Sequence, residues 1–270
     1  MRRVCVMLIQ WVPPETPVTL ELTDLLQGGW ISDDADLCQV ESRVPLIILT
    51  EGTSDSRLLR DALCTLHPEL TEFVRFIDYE TANPQGGADH LIQFVKMFVG
   101  CAIANPIVVL FDNDAAGHQA LAALKRLTLP ETVRVTCLPS LPWFASYPTD
   151  GPDGRALSNI DGRACAIELY LGKEALTDSQ GQLRPVRWGG YNDKVARYQG
   201  QVVGKDDIQK HFERSLAAVR NGDSRREAFD FAGVEAIFDQ VFTVLAEDTP
   251  PREPRPCTTQ PRHMPDRRQL

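Results

Sequence analysis

The sequence has no apolar run approaching about 18 residues, so no membrane-spanning segment is expected. Its seven cysteines, at 5, 38, 64, 101, 137, 165 and 257, are an odd set without a C-x-x-C pair. That argues against a disulfide framework or a zinc site, and for buried free thiols in a reducing, cytoplasmic compartment. Gly-x-x-x-x-Gly-Lys-Ser/Thr is missing, so no P-loop ATPase is expected. The opening MRRVCVMLIQW meets Pro13-Pro14-Glu15 with no small-residue cleavage site, so no secretory signal is expected. Positive charge is also scarce: 28 Lys and Arg stand against 37 Asp and Glu, a net charge of −9. Nucleic-acid binders usually carry a basic surface. Any polynucleotide contact must therefore come from local basic patches, from metal ions or from another domain.

What is present is enough for one good core with a small appendage: 270 residues, 43% hydrophobic and 24% charged. The stretch from Ile107 to Phe111 reads as a buried strand. It stops on Asp112 and Asp114, two positions apart and so on one side of an extended chain, before Ala115-Ala116-Gly117 turns into a helix. Residues 46–50 form a second apolar strand, ending in Glu51-Gly52-Thr53-Ser54-Asp55, with Ser54 as the expected N-cap of a helix to about Leu66. Further strands are expected over 73–77 and 132–137, with helices over 90–99 and 115–127. This alternation implies a parallel sheet covered by helices on both faces, with ligands at the carboxyl ends of the strands. Residues 139–163 read as a long Pro/Gly-rich loop and 173–204 as turn-rich, followed by helices over 205–219 and 228–245. The expected organisation is a lead-in over 1–43, an α/β domain over 44–171, a turn-rich and helical extension over 172–246, and a disordered tail over 247–270.

Glu51, Asp55, Asp112 and Asp114 thus gather at neighbouring strand ends, with Glu168 a fifth candidate. Carboxylates held this close repel one another and call for a cation; an all-oxygen donor set points to Mg²⁺ or Mn²⁺. Paired in this order on a βαβ background, Thr50-Glu51-Gly52-Thr53-Ser54-Asp55 and Phe111-Asp112-Asn113-Asp114-Ala115-Ala116-Gly117 resemble the Toprim domain of primases, topoisomerases and OLD-family nucleases. The Glu-x-x-x-Asp spacing and the long insert before Ile167-Glu168 are most similar to OLD-like nucleases and to the Toprim part of HEPN/Toprim proteins. The resemblance implies a Rossmann-like Toprim fold over about residues 44–171 with a small helical C-terminal extension. It implies metal ligands at Glu51, Asp55, Asp112, Asp114 and Glu168, with Glu51 also an acid/base residue. Tyr198-Gln199-Gly200 with Lys205 resembles a downstream lysine segment of the same subgroup, which implies that Lys205 steadies charge in the transition state. The implied activity is Mg²⁺-dependent hydrolysis of phosphodiester bonds in DNA, in a phage-defence setting, with a companion HEPN or ATPase protein. Two alternatives share the metal site: a non-catalytic module that binds metal and nucleic acid beside a partner, and primase-like nucleotidyl transfer.

Each residue also has a plainer reading. Asp112 and Asp114 can cap a helix, and Asp55 can be a first-turn charge. Glu168 can be solvent-facing on an amphipathic element and Lys205 an ordinary surface lysine. Gln85-Gly86-Gly87-Ala88-Asp89 reads as a glycine turn or a phosphate cradle. Arg60 and His67 match the HEPN spacing, but they fall on the first expected helix and its exit.

Overall fold

A computed structural model describes residues 44–77 and 87–246. The lead-in over 1–43, the start of the glycine turn at Gln85-Gly86 and the tail from 247 lie outside the described residues.

The core is a four-stranded parallel sheet. Its strands are β1 (Leu46–Thr50), β2 (Val74–Phe76), β3 (Ile107–Phe111) and β5 (Val133–Cys137), in the order β2-β1-β3-β5. Helices α1 (Thr53–Leu66), α2 (Ala88–Gly100) and α3 (Ala115–Leu124) connect them. Strand period two sorts the side chains onto two faces. Leu46, Ile48, Val108 and Leu110 pack with α1 residues Leu58, Leu59, Ala62 and Leu63. Leu49, Ile107, Val109 and Phe111 pack with Leu91 and Val95 of α2 and with Ala120 and Leu124 of α3. Apolar runs without alternation are what a sheet covered on both faces requires.

The first of these faces extends far down the chain. It takes in Ile208, Phe212 and Leu216 of α5 (Lys205–Arg220) and Ile237 and Val241 of α6 (Ala232–Ala246). Residues from both sides of position 171 therefore share one core.

The segments expected to be loops contain most of the remaining strands. Residues 139–163 hold a 3₁₀ turn (Pro142–Ala145) and a hairpin of β6 (Tyr147–Gly151) and β7 (Gly154–Ser158). Residues 173–204 hold α4 (Lys173–Leu176) and the antiparallel pair β9 (Val186–Asn192) and β10 (Arg197–Val202). Together they make a second sheet, β10-β9-β6-β7, in which β6 and β9 run parallel. A short antiparallel pair joins β4 (Asn113–Asp114) to β8 (Ala164–Cys165), tying the Asp112–Asp114 turn to the second half of the chain.

Three smaller expectations also shift. Gly52, not Ser54, precedes α1 as its N-cap, and the last helix starts at Ala232 after a 3₁₀ turn at Arg226–Ala228. Cys137 and Cys165 are buried free thiols, whereas Cys64 and Cys101 are exposed. Among the described residues no helix is long and apolar enough to cross a membrane.

Candidate metal centre

The carboxyl ends of β1 and β3 are adjacent in the sheet, and each runs directly into an acidic turn. In the β1 turn the buried Thr50 hydroxyl donates to the Gly52 carbonyl at 3.1 Å and bonds Ser56 Oγ at 3.1 Å. The Gly52 amide donates to Asp55 Oδ2 at 3.1 Å, so Asp55 is folded back over the start of its own helix. Glu51 reaches across to the next strand, where its Oε1 accepts the Asp112 amide at 3.0 Å. Its carbonyl accepts the amide of Gly87, the residue that starts α2, at 2.7 Å. One residue thereby links β1, β3 and α2.

Gly117 makes the approach possible. A Cβ there would stand 2.1 Å from the Asp112 carbonyl oxygen and 3.2 Å from Glu51 Oε1. The Asp-x-Asp turn and the helix after it can close this tightly only over a glycine.

Asp114 does cap α3: its Oδ1 accepts the Gly117 amide at 2.7 Å. Its Oδ2 accepts a short hydrogen bond from the Gln199 side chain of β10, whose own Oε1 takes the Ala116 amide at 3.2 Å. Asn113, between the two aspartates, is buried. Its amide donates to Asp161 Oδ1 at 2.7 Å, and its Oδ1 bonds His118 Nε2 at 2.8 Å. Burial, reinforced by Arg197, holds the His118 pKa down. The orientation of Asn113 then makes the neutral imidazole the Nε2–H tautomer.

Glu168 is not solvent-facing. It lies in a buried 3₁₀ turn (Ile167–Tyr170), where Oε1 accepts Gln209 Nε2 at 2.9 Å. Its Oε2 faces Lys205 Nζ at 3.3 Å but makes no well-aligned hydrogen bond. Lys205, the first residue of α5, follows Gly204 in a left-handed turn and brings its charge to the cluster.

Electrostatics show that these residues act on one another. Burial, opposed by the Asp112 hydrogen bond and reinforced by Asp114 and Asp55, pushes Glu51 up to about 7. Burial and the neighbouring Glu168 push Asp55 up to about 7, against the pull of Lys205. Asp112 is raised well above the carboxylate range by burial, then by Asp55 and Glu51. Burial first, and then negative charge beyond what Lys205 offsets, leave the chain near neutrality with protons that carboxylates in water would have lost. An all-oxygen set with this surplus charge fits Mg²⁺ or Mn²⁺ in donor chemistry. In the arrangement seen, however, no three His, Cys, Asp or Glu side chains among the described residues form a ready ligand cage. Asp114 in particular is committed to Gly117 and Gln199.

All six residues singled out in the sequence therefore belong to one electrostatic neighbourhood. Reading the sequence missed Asn113, Gln199, Gln209 and His118, which hold the charged groups in place. Two of them had a signal: Asn113 lies between two aspartates, and Gln199 lies inside the Tyr198-Gln199-Gly200 segment. Arg60 and His67 serve elsewhere: Arg60 lies 3.7 Å from Asp61, and His67 Nε2 bonds Glu235 of α6 at 2.7 Å.

The chain matches no protein-family model, no curated protein and no solved structure.

Proposed function

We propose that the protein is a metal-dependent nuclease of Toprim type that hydrolyses phosphodiester bonds in DNA. The observation that carries this reading is the set of three carboxyls, Glu51, Asp55 and Asp112, at two adjacent parallel strand ends with their pKa values driven upward. Perturbed acids gathered at the carboxyl edge of an α/β sheet are the physical mark of a candidate reactive site.

Glu51, Asp55, Asp112 and Asp114 would hold Mg²⁺ or Mn²⁺, with Glu168 behind them. When bound, such an ion polarises a phosphate oxygen and makes a bound water more acidic. Glu51 keeps Oε1 on the Asp112 amide, which leaves Oε2 either to reach the ion or to assist proton transfer. Lys205, paired with Glu168, supplies a positive charge beside the place where phosphate charge builds up. Freeing Asp114 for an ion requires its Oδ2 to leave Gln199.

The supporting experiment is plasmid cleavage by the purified chain with Mg²⁺ or Mn²⁺, alongside Asp112→Ala. Cleavage by the wild type and its loss in the variant are expected; equal activity in both would overturn the assignment. A second reading, a metal- and nucleic-acid-binding module without its own cleavage, is favoured by the engagement of Asp114 as a helix cap. It predicts metal binding and no nicking.

A further inference from the structure

The β9–β10 hairpin carries chemistry that the carboxylate centre does not use. Tyr191 and Tyr198 stand opposite each other in its register, with ring centroids 5.0 Å apart in an edge-to-face pair. Both are exposed, at 51% and 54%. Trp188 of the same strand does pack, against the main core. Beside the pair lies an open hollow of about 470 Å³ lined by Gly190, Tyr191, Asn192, Asp193, Lys194 and Gln199. Gln199 is the residue whose amide holds Asp114 Oδ2, so hollow and carboxylate centre share one side chain. Asn192 anchors the hollow to α3 through Gln119 Oε1 at 3.0 Å.

The hairpin as a whole is basic, although at the hollow itself Lys194 stands beside Asp193, and Arg197 donates to the Gly162 carbonyl. In a chain of net charge −9, the hairpin from Val186 to Val202 holds three cations, Arg187, Lys194 and Arg197, against one anion, Asp193. An aromatic face and a lysine for phosphate suit a nucleotide unit of a single strand. They do not suit a duplex groove, which needs a longer basic track.

We infer that the Tyr191–Tyr198 pair and the adjoining hollow form a stacking site for a base of single-stranded DNA, with Lys194 on the neighbouring phosphate, which feeds the strand past Gln199 toward Asp114. The inference rests on the nucleic-acid reading above and names the form of substrate that site takes, an unpaired segment of the kind a supercoiled plasmid exposes.

The test is fluorescence anisotropy with the full chain in EDTA, so that binding is read without cleavage. A labelled single-stranded oligodeoxynucleotide is compared with an abasic strand of the same length and with a duplex. The base-bearing strand is expected to bind at least about tenfold more tightly than the abasic one, the scale of one or two stacked bases. Tyr191→Ala/Tyr198→Ala should remove that difference, and Tyr191→Phe/Tyr198→Phe should keep it. Lys194→Ala should flatten the salt dependence for both strands. Equal binding of base-bearing and abasic strands, tighter binding of the duplex, or an unchanged preference in the alanine variant would overturn the inference. Plasmid cleavage without the strand preference would leave the nuclease reading standing and this site refuted. The preference without cleavage would do the reverse.

Discussion

Asp112 bears the sharpest conflict in the molecule. It sits at the end of a buried strand among Glu51, Asp55 and Asp114, and its carboxyl is held well above its ordinary pKa. A side chain kept for packing would not be placed where its charge is opposed from three directions. Asp112→Asn removes that opposition at nearly constant shape. At pH 8 without divalent ions the variant should therefore be more stable, with Tm raised by about 2–4 °C, the shift that about 1 kcal/mol gives a domain of this size. It should also lose metal-dependent cleavage. A lower Tm by thermal denaturation would mean that the carboxylate is structural. Gly117 makes the opposite case. With its Cβ position 2.1 Å from the Asp112 carbonyl, Gly117→Ala must move α3 or the Asp-x-Asp turn. A loss of about 1–3 kcal/mol is expected by urea denaturation, the usual cost of forcing atoms into a filled space. An unchanged midpoint would show that the turn has room to spare.

At the scale of elements, the parallel sheet was legible and the second sheet was not. Residues 46–50 and 107–111 were expected as strands and are β1 and β3. An uninterrupted apolar run is what burial on both faces demands, so pattern and structure coincide there. The hairpins fail the same test because glycine serves two purposes. Trp188-Gly189-Gly190-Tyr191 and Tyr198-Gln199-Gly200 read as turns, yet they lie within β9 and β10 at a register irregularity. A Cβ on Gly200 would come within 2.7 Å of Val186 and 3.0 Å of Ala164, so close packing, not chain reversal, calls for that glycine. The carboxylates were legible because like charges at strand ends stand out. Gln209, His118 and the role of Gln199 were not, since neutral polar residues gain meaning only from the partners that long-range pairing gives them. His67 shows how a local motif can mislead in the same way. Its partner is Glu235, 168 positions away, and the contact fastens the end of α1 to α6. The hydrogen bond to Glu235 raises the His67 pKa above 6.5. A raised folded pKa adds stability that is fully present below the unfolded value and lost as pH rises through the folded one. His67→Gln should therefore lower Tm more at pH 5.5 than at pH 8.5. An equal loss at both would show that the imidazolium contributes nothing.

For the molecule as a whole, the acidic centre sets a stability–pH profile of definite sign. Glu51 and Asp55 titrate near 7 in the folded chain, against ordinary values of 4.5 and 3.8. Between those values the folded chain holds protons that the unfolded chain has released, so their contribution is present at low pH and lost as pH rises through about 7. Without divalent ions Tm should fall between pH 5.5 and 8, and Mn²⁺ should restore it most at the alkaline end, where the carboxylates are free of protons. A Tm that rises across this range would mean that the centre is neutralised in some other way. The most direct measurement is titration calorimetry of the intact chain with Mn²⁺ at pH 6.5, in two buffers of different ionisation enthalpy. The expected result is saturable binding that releases protons into the buffer and is lost in Asp112→Ala. No binding by the wild type, or the same binding and proton release in the variant, would contradict a divalent-metal centre at Glu51, Asp55, Asp112 and Asp114.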